Sequence, residues 1–280
     1  MTVSERIYII GGTGNVGKPV VEGLLKAKVP VTVLTRTPDK TLQLYSSLQQ
    51  DDLLKAVQGG HSDFTAFKES IPGHTRLFLL TPYFGPFDGR KLKTGYAKIA
   101  YAAGVKQIVD ISATAAGFGW RASFLADLCR QIEEAILAIP NRGAYVALRP
   151  TRFMSNNVMY NKHGIVKANA IFEPIGPDEL EEWVSPNDIS VVATVIFQEP
   201  IEKHADPVYK VALGREIAFK QVPHIEKYKI LAQFIPHLFA YELAAGYRKI
   251  NIDPGVLSIL LGRQPETLEQ WIHANKDAFL

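Results

Sequence analysis

Three glycines near the start of the chain have the spacing of a phosphate-binding loop. Gly11, Gly14 and Gly17 form a G-x-x-G-x-x-G pattern directly after an apolar run that ends at Ile10. The first glycine permits a tight turn, the second lets the backbone approach a pyrophosphate, and the third lets the next helix pack closely on its strand. The N-terminus of that helix offers N–H groups to phosphate oxygens. The pattern predicts dinucleotide binding, with a turn of purely structural purpose as the alternative.

The residues after the second predicted strand indicate which dinucleotide binds. A carboxylate about 20 residues beyond the loop accepts hydrogen bonds from the ribose of NAD, whereas an arginine accommodates the 2′-phosphate of NADP. The chain has Arg36 at this place and Lys40 close by, while Asp39 comes three residues after Arg36. A guanidinium makes charge-assisted hydrogen bonds to phosphate. The prediction is therefore NADPH, and the alternative is that Arg36 is merely solvated.

The elements that position these residues follow from hydrophobic periodicity. Short β-branched runs alternate with helical patterns, which is typical of βαβ units and a parallel sheet. We predict strands at 6–10, 31–34, 55–57, 77–80, 107–111 and 145–148, and helices from residue 16, around 93–103, at 126–139 and at 266–279. The fold class is α/β. A doubly wound, Rossmann-like parallel sheet is expected at 1–150, and a smaller C-terminal α/β substrate lobe, partly interleaved with this core, at 151–280.

Composition excludes several classes of function. The chain has 31 Lys and Arg against 28 Asp and Glu without a dense basic block, so nothing favours nucleic-acid binding. Its apolar runs are far shorter than the about 20 residues of a membrane span. One cysteine allows no intrachain disulfide, and the seven histidines show no metal-ligand spacing. We expect a cytoplasmic protein without a metal.

Further motifs follow the glycine loop in order along the chain. They are LLTP at 79–82, VDIS at 109–112, RQIE at 130–133, LRPTRFMSN at 148–156, VSPNDI at 184–189 and LLGRQP at 260–265. With these motifs the chain resembles the NmrA-like group of atypical short-chain dehydrogenases. The resemblance implies a doubly wound NAD(P)-binding core, a small C-terminal lobe and a substrate cleft between them. Such relatives include quinone, azo, imine and aromatic ether reductases, and regulators that bind the dinucleotide without obvious turnover.

The resemblance also implies roles for individual residues. The pyrophosphate would be held by Gly11, Thr13, Gly14, Asn15 and Val16, and the 2′-phosphate by Arg36 and Lys40. Thr81 and Pro82 would lie along the adenosine side and the ribose, and Ser112 and the loop from Pro150 to Phe153 near the nicotinamide. Candidates for the substrate pocket are polar or aromatic residues in irregular segments, for which ordinary packing is the alternative: Phe84, Phe118, Trp120, Phe153, Asn156, Tyr160 and Trp183.

The catalytic residues of classical short-chain dehydrogenases are missing. Those enzymes use a Tyr-x-x-x-Lys pair for acid catalysis, and no tyrosine here has a lysine four residues on. Many relatives place a Lys or His just ahead of the segment matching RQIE, where this chain has Cys129. A neutral thiol is a poor proton donor, so Cys129 is either a weak catalytic candidate or a small packing residue. Ser112, where a catalytic serine would lie, is the other candidate, or a hydrogen-bonding partner.

Three hypotheses for the function remain. The first is an NADPH-dependent reductase of a small hydrophobic acceptor such as a quinone, azo or imine compound, with hydride transfer that relies on orientation rather than on a Tyr-x-x-x-Lys pair. The second is an NADPH-binding regulator with a protein partner and without turnover. The third is a non-redox enzyme that retains NADPH. A small-molecule substrate is the partner expected in the first and third cases.

Overall fold

The chain divides into two compact units in a computed structural model that describes residues 5–48, 52–83, 85–168, 172–173, 182–206, 208–211, 220–221, 223–233, 240, 258 and 261–279. The first unit contains Met1–Ala113, Leu128–Arg149 and Ile189–Tyr209. The second contains Thr114–Asp127, Pro150–Asp188 and Lys210–Leu280. Both units are therefore assembled from segments that are separated in the sequence.

The described strands are short and, in chain order, are β1 (Ile7–Ile10), β2 (Val31–Thr35), β3 (Leu54–Gln58), β4 (Arg76–Leu79), β5 (Gln107–Ile111), β6 (Ala144–Pro150), β7 (Arg152–Phe153), β8 (Phe172–Glu173), β9 (Trp183–Val184), β10 (Val208–Val211) and β11 (Lys220–Gln221). The main sheet has the order β10-β6-β5-β4-β1-β2-β3, and the six strands from β6 to β3 in this order pair in parallel. The predicted doubly wound parallel sheet is confirmed.

The described helices are α1 (Gly17–Lys26), α2 (Pro38–Leu44), α3 (Thr65–Ser70), α4 (Gly89–Ala102), α5 (Phe124–Leu137), α6 (Lys162–Ala168), α7 (Pro186–Gln198), α8 (His224–Leu231) and α9 (Leu268–Ala274). Among these helices, none combines the length and the apolar composition that a membrane crossing requires.

Two helix boundaries differ from the sequence-based prediction. Helix α4 begins before residue 93, because the Asp88 side chain accepts hydrogen bonds from the backbone N–H groups of Arg90 and Lys91 and caps the helix there. The closing helix predicted at 266–279 is present, but it is shorter than predicted. Helix α9 starts later, behind a capping box of Thr267 and Gln270, and a separate 3₁₀ turn, Lys276–Phe279, follows it.

The strands of the first unit are buried on both faces. All residues of β1, β2, β4 and β5 are buried, as expected for a parallel sheet covered by helices on both sides. Helix α1 buries an apolar stripe that includes Val20, Val21 and Leu24. The mainly apolar composition of these strands, with few alternating polar residues, reflects this double burial.

The strand order places a topological switch point at β1. The chain leaves β1 for β2 on one side, while β4 pairs with β1 on the other side. In open α/β sheets, ligands bind beyond the carboxyl ends of the strands at such a point. The glycine loop follows β1 directly and therefore lies where a nucleotide is expected.

The second unit has short parallel pairings, β7 with β9 and β8 with β11. A π-helical turn, Asn157–Asn161, leads into α6. Two of the motifs quoted above meet in this unit: the buried Asp188 carboxylate accepts hydrogen bonds from the Arg263 side chain at 2.7 Å and from the Glu266 backbone N–H at 2.8 Å. One apolar cluster of this unit contains Met154, Trp183, Leu268, Trp271 and Phe279, and another contains Leu231 and Ala240.

Candidate functional site

The glycine loop has no room for a side chain at Gly17 and a backbone conformation that favours glycine at Gly11. Gly11 has a φ of +82°, in the left-handed region that favours glycine. A Cβ added at Gly17 would lie 2.1 Å from the Gly11 carbonyl oxygen, a distance at which atoms overlap. The Gly14 N–H donates to the same oxygen at 3.1 Å and closes the turn. The loop is thus a tight turn against the first residues of α1.

The outer side of the loop is exposed to solvent, and two hydroxyl groups donate hydrogen bonds to its backbone from the inner side. Thr13, Gly14 and Asn15 are exposed. No side chain caps α1, and its first turn has no acidic residue, so its N–H groups can receive an anion. Below the loop, the Tyr45 hydroxyl donates to the Gly12 carbonyl and the Ser190 hydroxyl donates to the Val16 carbonyl at 2.7 Å. These two supports were not predicted, because nothing in the sequence marks them.

The two cations expected at the 2′-phosphate are exposed near the ends of β2 and β3. Arg36 follows β2 and Lys40 lies in α2, both accessible to solvent. The Arg36 Cγ lies 3.7 Å from the position of a Cβ added at Gly60, so the arginine stem runs beside the turn after β3. Burial lowers the pKa of His61 in this turn, and the charge of Arg36 lowers it further. The region carries a cation that a phosphate can approach.

Thr81 provides a polar atom without a partner beside the loop. It lies just beyond β4, is buried, and its Oγ1 has no hydrogen-bond partner in the described part of the chain. A buried hydroxyl in this state is costly unless a ligand satisfies it. A Cβ added at Gly11 would lie 2.7 Å from the Leu80 carbonyl oxygen, which shows how closely the two segments approach. Together with the open loop, this hydroxyl fits a dinucleotide, while Pro82 next to it is exposed.

Ser112 is connected to a buried ion pair. Its backbone N–H donates to the Leu148 carbonyl at 2.7 Å, and its hydroxyl donates to the Glu133 carboxylate. Arg149 contacts the same carboxylate with two nitrogens, one of them at 2.9 Å, and this hydrogen bonding raises the pKa of the guanidinium. Because the Ser112 proton is directed at Glu133, the oxygen lone pairs can accept an N–H from a ligand.

Cys129 is buried in the first unit and is a free thiol. Burial raises the pKa of this thiol to about 11, although the nearby charge of Lys93 and a hydrogen bond with Tyr83 favour the thiolate. The group is therefore a neutral thiol around neutral pH. A neutral, buried thiol neither attacks a substrate nor releases its proton readily.

A buried polar cluster lies beside Cys129. The Lys93 Nζ donates to Asp110 Oδ1 at 2.6 Å, and the Tyr145 hydroxyl donates to Asp110 Oδ2 at 2.8 Å. The Tyr83 hydroxyl donates to the Ile111 carbonyl at 2.7 Å and lies 3.3 Å from Lys93 Nζ. Sequence reasoning missed this cluster, since a lysine within a helix normally indicates a solvated face.

The predicted pocket residues have different surroundings. Asn156, Tyr160 and Trp183 line one cavity of the second unit, together with Arg152, Asn161, Lys227 and Leu231. Trp120 is 78% exposed, with the Arg121 guanidinium 5.3 Å from its ring centre. Phe118 and Phe153 are half-buried, Pro150 is buried at the end of β6, and Phe84 lies outside the described residues. The cavity thus brings together three of the predicted residues and adds two cations that were not predicted.

Comparisons with known proteins identify the family of the chain. A family model described as NAD(P)H-binding matches residues 11–171, more than half of the chain. The chain is 27% identical over 207 residues to an NAD(P)H azoreductase of Xenophilus azovorans, covering 72% of this chain and 67% of that protein.

Solved structures share the fold. Triphenylmethane reductase of Citrobacter sp., complexed with NADP(H), has a TM-score of 0.72 at 20% identity and covers 96% of this chain and 99% of its own. A mutant of NmrA has a TM-score of 0.74 at 14% identity over the full length of both chains. The family match and the shared fold confirm the predicted resemblance.

Proposed function

The chain belongs to the NAD(P)H-binding family, and from this premise we propose that it is an NADPH-dependent reductase of a small hydrophobic acceptor. The observation that carries the proposal is the open glycine loop at the switch point of the sheet, with Arg36 exposed where the second strand ends. A loop of this shape directs N–H groups at an anion, and the two linked phosphates of a dinucleotide suit it. An arginine in this place suits a third phosphate on the ribose.

Different residues of the first unit would bind different parts of the dinucleotide. Gly11, Thr13, Gly14, Asn15 and Val16 would hold the pyrophosphate, mainly through backbone N–H groups. Arg36 and Lys40 would bind the 2′-phosphate, and Thr81 and Pro82 would lie along the ribose, where the Thr81 hydroxyl gains its missing partner. The Ser112 hydroxyl, whose proton points at Glu133, would accept an N–H of the carboxamide on the nicotinamide.

Hydride transfer would depend on how the chain orients the cofactor and the acceptor, rather than on a strong acid. When bound, NADPH supplies a hydride to the acceptor. The chain supplies fixed contacts, because holding two reactants in line removes much of the entropic barrier. Cys129 is proposed as a packing residue, since its neutral buried thiol has no role in proton transfer. An acceptor that is already electrophilic, such as a quinone or an iminium ion, needs little help from an acid.

The named relatives support this class of acceptor. The azoreductase of Xenophilus azovorans has a name that states NAD(P)H-dependent reduction of an azo compound. The triphenylmethane reductase of Citrobacter sp. is complexed with NADP(H). The acceptor would contact the residues predicted from the sequence, of which Asn156, Tyr160 and Trp183 line the cavity of the second unit.

The decisive experiment measures binding and turnover separately. Calorimetric titration of the purified protein with NADPH and NADH establishes the preferred dinucleotide. A panel of quinone, azo and imine compounds is then tested for loss of nicotinamide absorbance. We expect NADPH to bind more tightly and at least one acceptor class to be reduced.

Other outcomes identify the alternatives. Tight NADPH binding without oxidation over the whole panel, together with a protein partner captured only when NADPH is present, indicates a regulator. Conversion of a compound without any change in nicotinamide absorbance indicates a non-redox enzyme. Either result overturns the reductase proposal.

A further inference from the structure

His61 follows β3 next to the arginine that we expect at the 2′-phosphate. The residue comes directly after the Gly59-Gly60 turn and is half-buried. The Arg36 Cγ lies 3.7 Å from the position of a Cβ added at Gly60, and the charge of Arg36 lowers the pKa of the His61 ring. In the described part of the chain, neither Arg36 nor His61 forms an ion pair with a carboxylate. One permanent cation and one titratable group are therefore neighbours in the first unit.

Two hydrogen bonds determine which nitrogen of the neutral His61 ring carries the proton. The Tyr96 side chain is completely buried, and its hydroxyl donates to the Gly60 carbonyl at 3.1 Å. A hydroxyl has one proton to donate, so the Tyr96 oxygen accepts from the His61 Nδ1–H, which lies 3.1 Å away. In the neutral ring Nε2 is then the nitrogen without a proton. Since Nδ1 faces Tyr96, Nε2 points away from it, and among the described residues Nε2 has no hydrogen-bond partner.

The other groups around the His61 ring are aromatic or exposed. The Phe87 and Tyr96 rings lie edge-on to it, with centroids 6.0 and 5.9 Å away. Asp63, two residues further along the chain, is exposed and accepts a backbone N–H at the start of α3 at 2.8 Å. Burial, followed by the charge of Arg36, lowers the pKa of His61 below its ordinary value of 6.5. The ring is therefore mainly neutral at neutral pH in the free protein.

From this arrangement we propose that His61 binds the 2′-phosphate of NADPH in its protonated form, through Nε2–H, beside Arg36 and Lys40. The neutral ring presents only a lone pair at Nε2, which repels a phosphate oxygen, whereas the protonated ring donates a charge-assisted hydrogen bond. The phosphate dianion also offsets the charge of Arg36 that opposes protonation. NADPH binding is thus coupled to the uptake of a proton from solvent at Nε2. The inference rests on the proposed binding of NADPH, but not on reductase turnover.

The coupling gives the affinity for NADPH a defined pH dependence. The pKa of His61 lies below 6.5 in the free protein, and the bound phosphate raises it. Affinity for NADPH therefore increases as the pH falls from the raised pKa of the complex to the lower pKa of the free protein, by at most about tenfold per pH unit for one proton. The 2′-phosphate itself takes up a proton with a pKa of about 6, which acts in the opposite direction. Comparison with a His61 variant removes this second effect.

Calorimetric titrations without an acceptor count the protons. NADPH and NADH are titrated at about pH 6.5 in phosphate-free buffers that differ in their enthalpy of ionisation, and the difference in heat gives the number of protons taken up. We expect the unmodified protein to take up more protons with NADPH than His61→Gln does, by a substantial fraction of one. With NADH the two proteins should not differ. Adenosine 2′,5′-bisphosphate should behave like NADPH and AMP like NADH, because the 2′-phosphate alone distinguishes each pair.

The affinities of His61→Gln provide a second measurement. At about pH 6 this variant should bind NADPH about tenfold more weakly than the unmodified protein, as for the loss of a hydrogen bond between charged groups. At about pH 8.5 the histidine is neutral and the difference should disappear. The affinity for NADH should be the same in both proteins at both pH values. The matched control is His163→Gln, at an exposed position of α6, which should bind NADPH like the unmodified protein.

The outcomes separate this inference from the proposed function. A preference for NADPH with equal proton uptake by the unmodified protein and His61→Gln overturns the role of His61 and leaves the proposed cofactor in place. Equal affinity for NADPH and NADH overturns both. If His61→Gln weakens NADPH and NADH alike, the ring contacts the adenosine part that both share, and the phosphate contact is overturned. Proton uptake that requires His61, without turnover of any acceptor, supports this inference and contradicts the reductase function.

Discussion

Lys93 Nζ lies 2.6 Å from Asp110 Oδ1, and both side chains are completely buried. Burial raises the pKa of Asp110, while the ammonium beside it acts in the opposite direction. A buried pair of this kind is weak evidence for net stability, but removing one partner leaves an uncompensated charge. The relationship joins α4 to β5 in the first unit, and Asp110 precedes Ser112 by two residues.

We expect Lys93→Met to lower the free energy of unfolding by about 3–5 kcal/mol, because Asp110 is left without its cation. The double variant Lys93→Met with Asp110→Asn should recover part of this loss. Urea unfolding followed by circular dichroism measures both. Lys91→Met is the matched control, because that side chain is 81% exposed, and its effect should stay within about 0.5 kcal/mol. If Lys93→Met and Lys91→Met are equally stable, the buried pair does not contribute to the free energy of unfolding.

Two glycines of the loop should respond differently to alanine. A Cβ at Gly17 overlaps the Gly11 carbonyl oxygen at 2.1 Å, whereas a Cβ at Gly14 is in ordinary contact with that oxygen at 3.5 Å. Gly17→Ala is therefore expected to reduce both stability and NADPH binding. Gly14→Ala should fold normally and weaken NADPH binding by about tenfold or more, because the new methyl group lies where the pyrophosphate approaches.

Thermal unfolding and calorimetric NADPH titration distinguish these two effects. The control is Gly119→Ala, where an added Cβ meets nothing within 4 Å. The steric argument for the pyrophosphate is refuted if Gly14→Ala binds NADPH as tightly as the Gly119 control.

Arg36→Ala should reduce the preference of the protein for NADPH over NADH. Loss of a charge-assisted contact to the 2′-phosphate is expected to weaken NADPH binding by about 10- to 100-fold, in line with about 1.5–3 kcal/mol for hydrogen bonds to charged groups. NADH, which lacks this phosphate, should bind the variant as it binds the unmodified protein. Arg90→Ala, an exposed arginine on α4, serves as the control. Equal weakening of NADPH binding and NADH binding would show that Arg36 contacts a part of the molecule that both dinucleotides share.

The sheet was predictable from the sequence because its strands are buried on both faces. Val31–Thr35 therefore has four β-branched residues among its five, and Gln107–Ile111 has three, so the positions of both strands follow from composition. The glycine loop was predictable for a related reason: Gly11 and Gly17 are required by local geometry, so their spacing is visible without any long-range information.

The buried lysines were not predictable because their partners are distant in the sequence. Lys93 and Lys227 each lie on a helix, where a lysine ordinarily indicates solvent. Their partners, Asp110 and Asn161, come from other elements, and nothing near either lysine identifies them. Trp120 shows the opposite case: it is a large aromatic residue, yet it is 78% exposed. Hydrophobicity predicts burial on average, but only long-range packing decides it for one side chain.

Cys129 should resist thiol reagents in the folded protein. Its pKa of about 11, raised by burial, leaves very little thiolate near neutral pH, and the thiolate is the reactive form. We expect a chromogenic disulfide reagent to label the native protein extremely slowly and one thiol per chain after unfolding in urea. The control variant Lys98→Cys, at an exposed position of α4, should label promptly in the folded state. Rapid labelling of Cys129 in the native protein would show an accessible thiolate, and Cys129 would again be a candidate for a catalytic residue.

His74 should make stability depend on pH. The ring is buried, with Nδ1 3.0 Å from the Ile71 carbonyl oxygen and Nε2 2.8 Å from the Thr32 hydroxyl. Burial is the main reason that its pKa lies below 6.5, the ordinary value. The unfolded chain therefore takes up a proton at higher pH than the folded protein does. The stabilising contribution of neutral His74 is fully present above this ordinary pKa and is lost as the pH falls below it.

Urea unfolding of the unmodified protein and of His74→Gln at about pH 7.5 and about pH 5.5 measures this contribution. The unmodified protein should lose more stability on acidification than the variant, by at most about 1.4 kcal/mol per pH unit, the linkage limit for one proton. The difference between the two proteins cancels titration of other groups, including His61. His163→Gln, at an exposed position of α6, should instead follow the unmodified protein. Parallel losses in the unmodified protein and the His74 variant would show that this ring does not control the acid sensitivity.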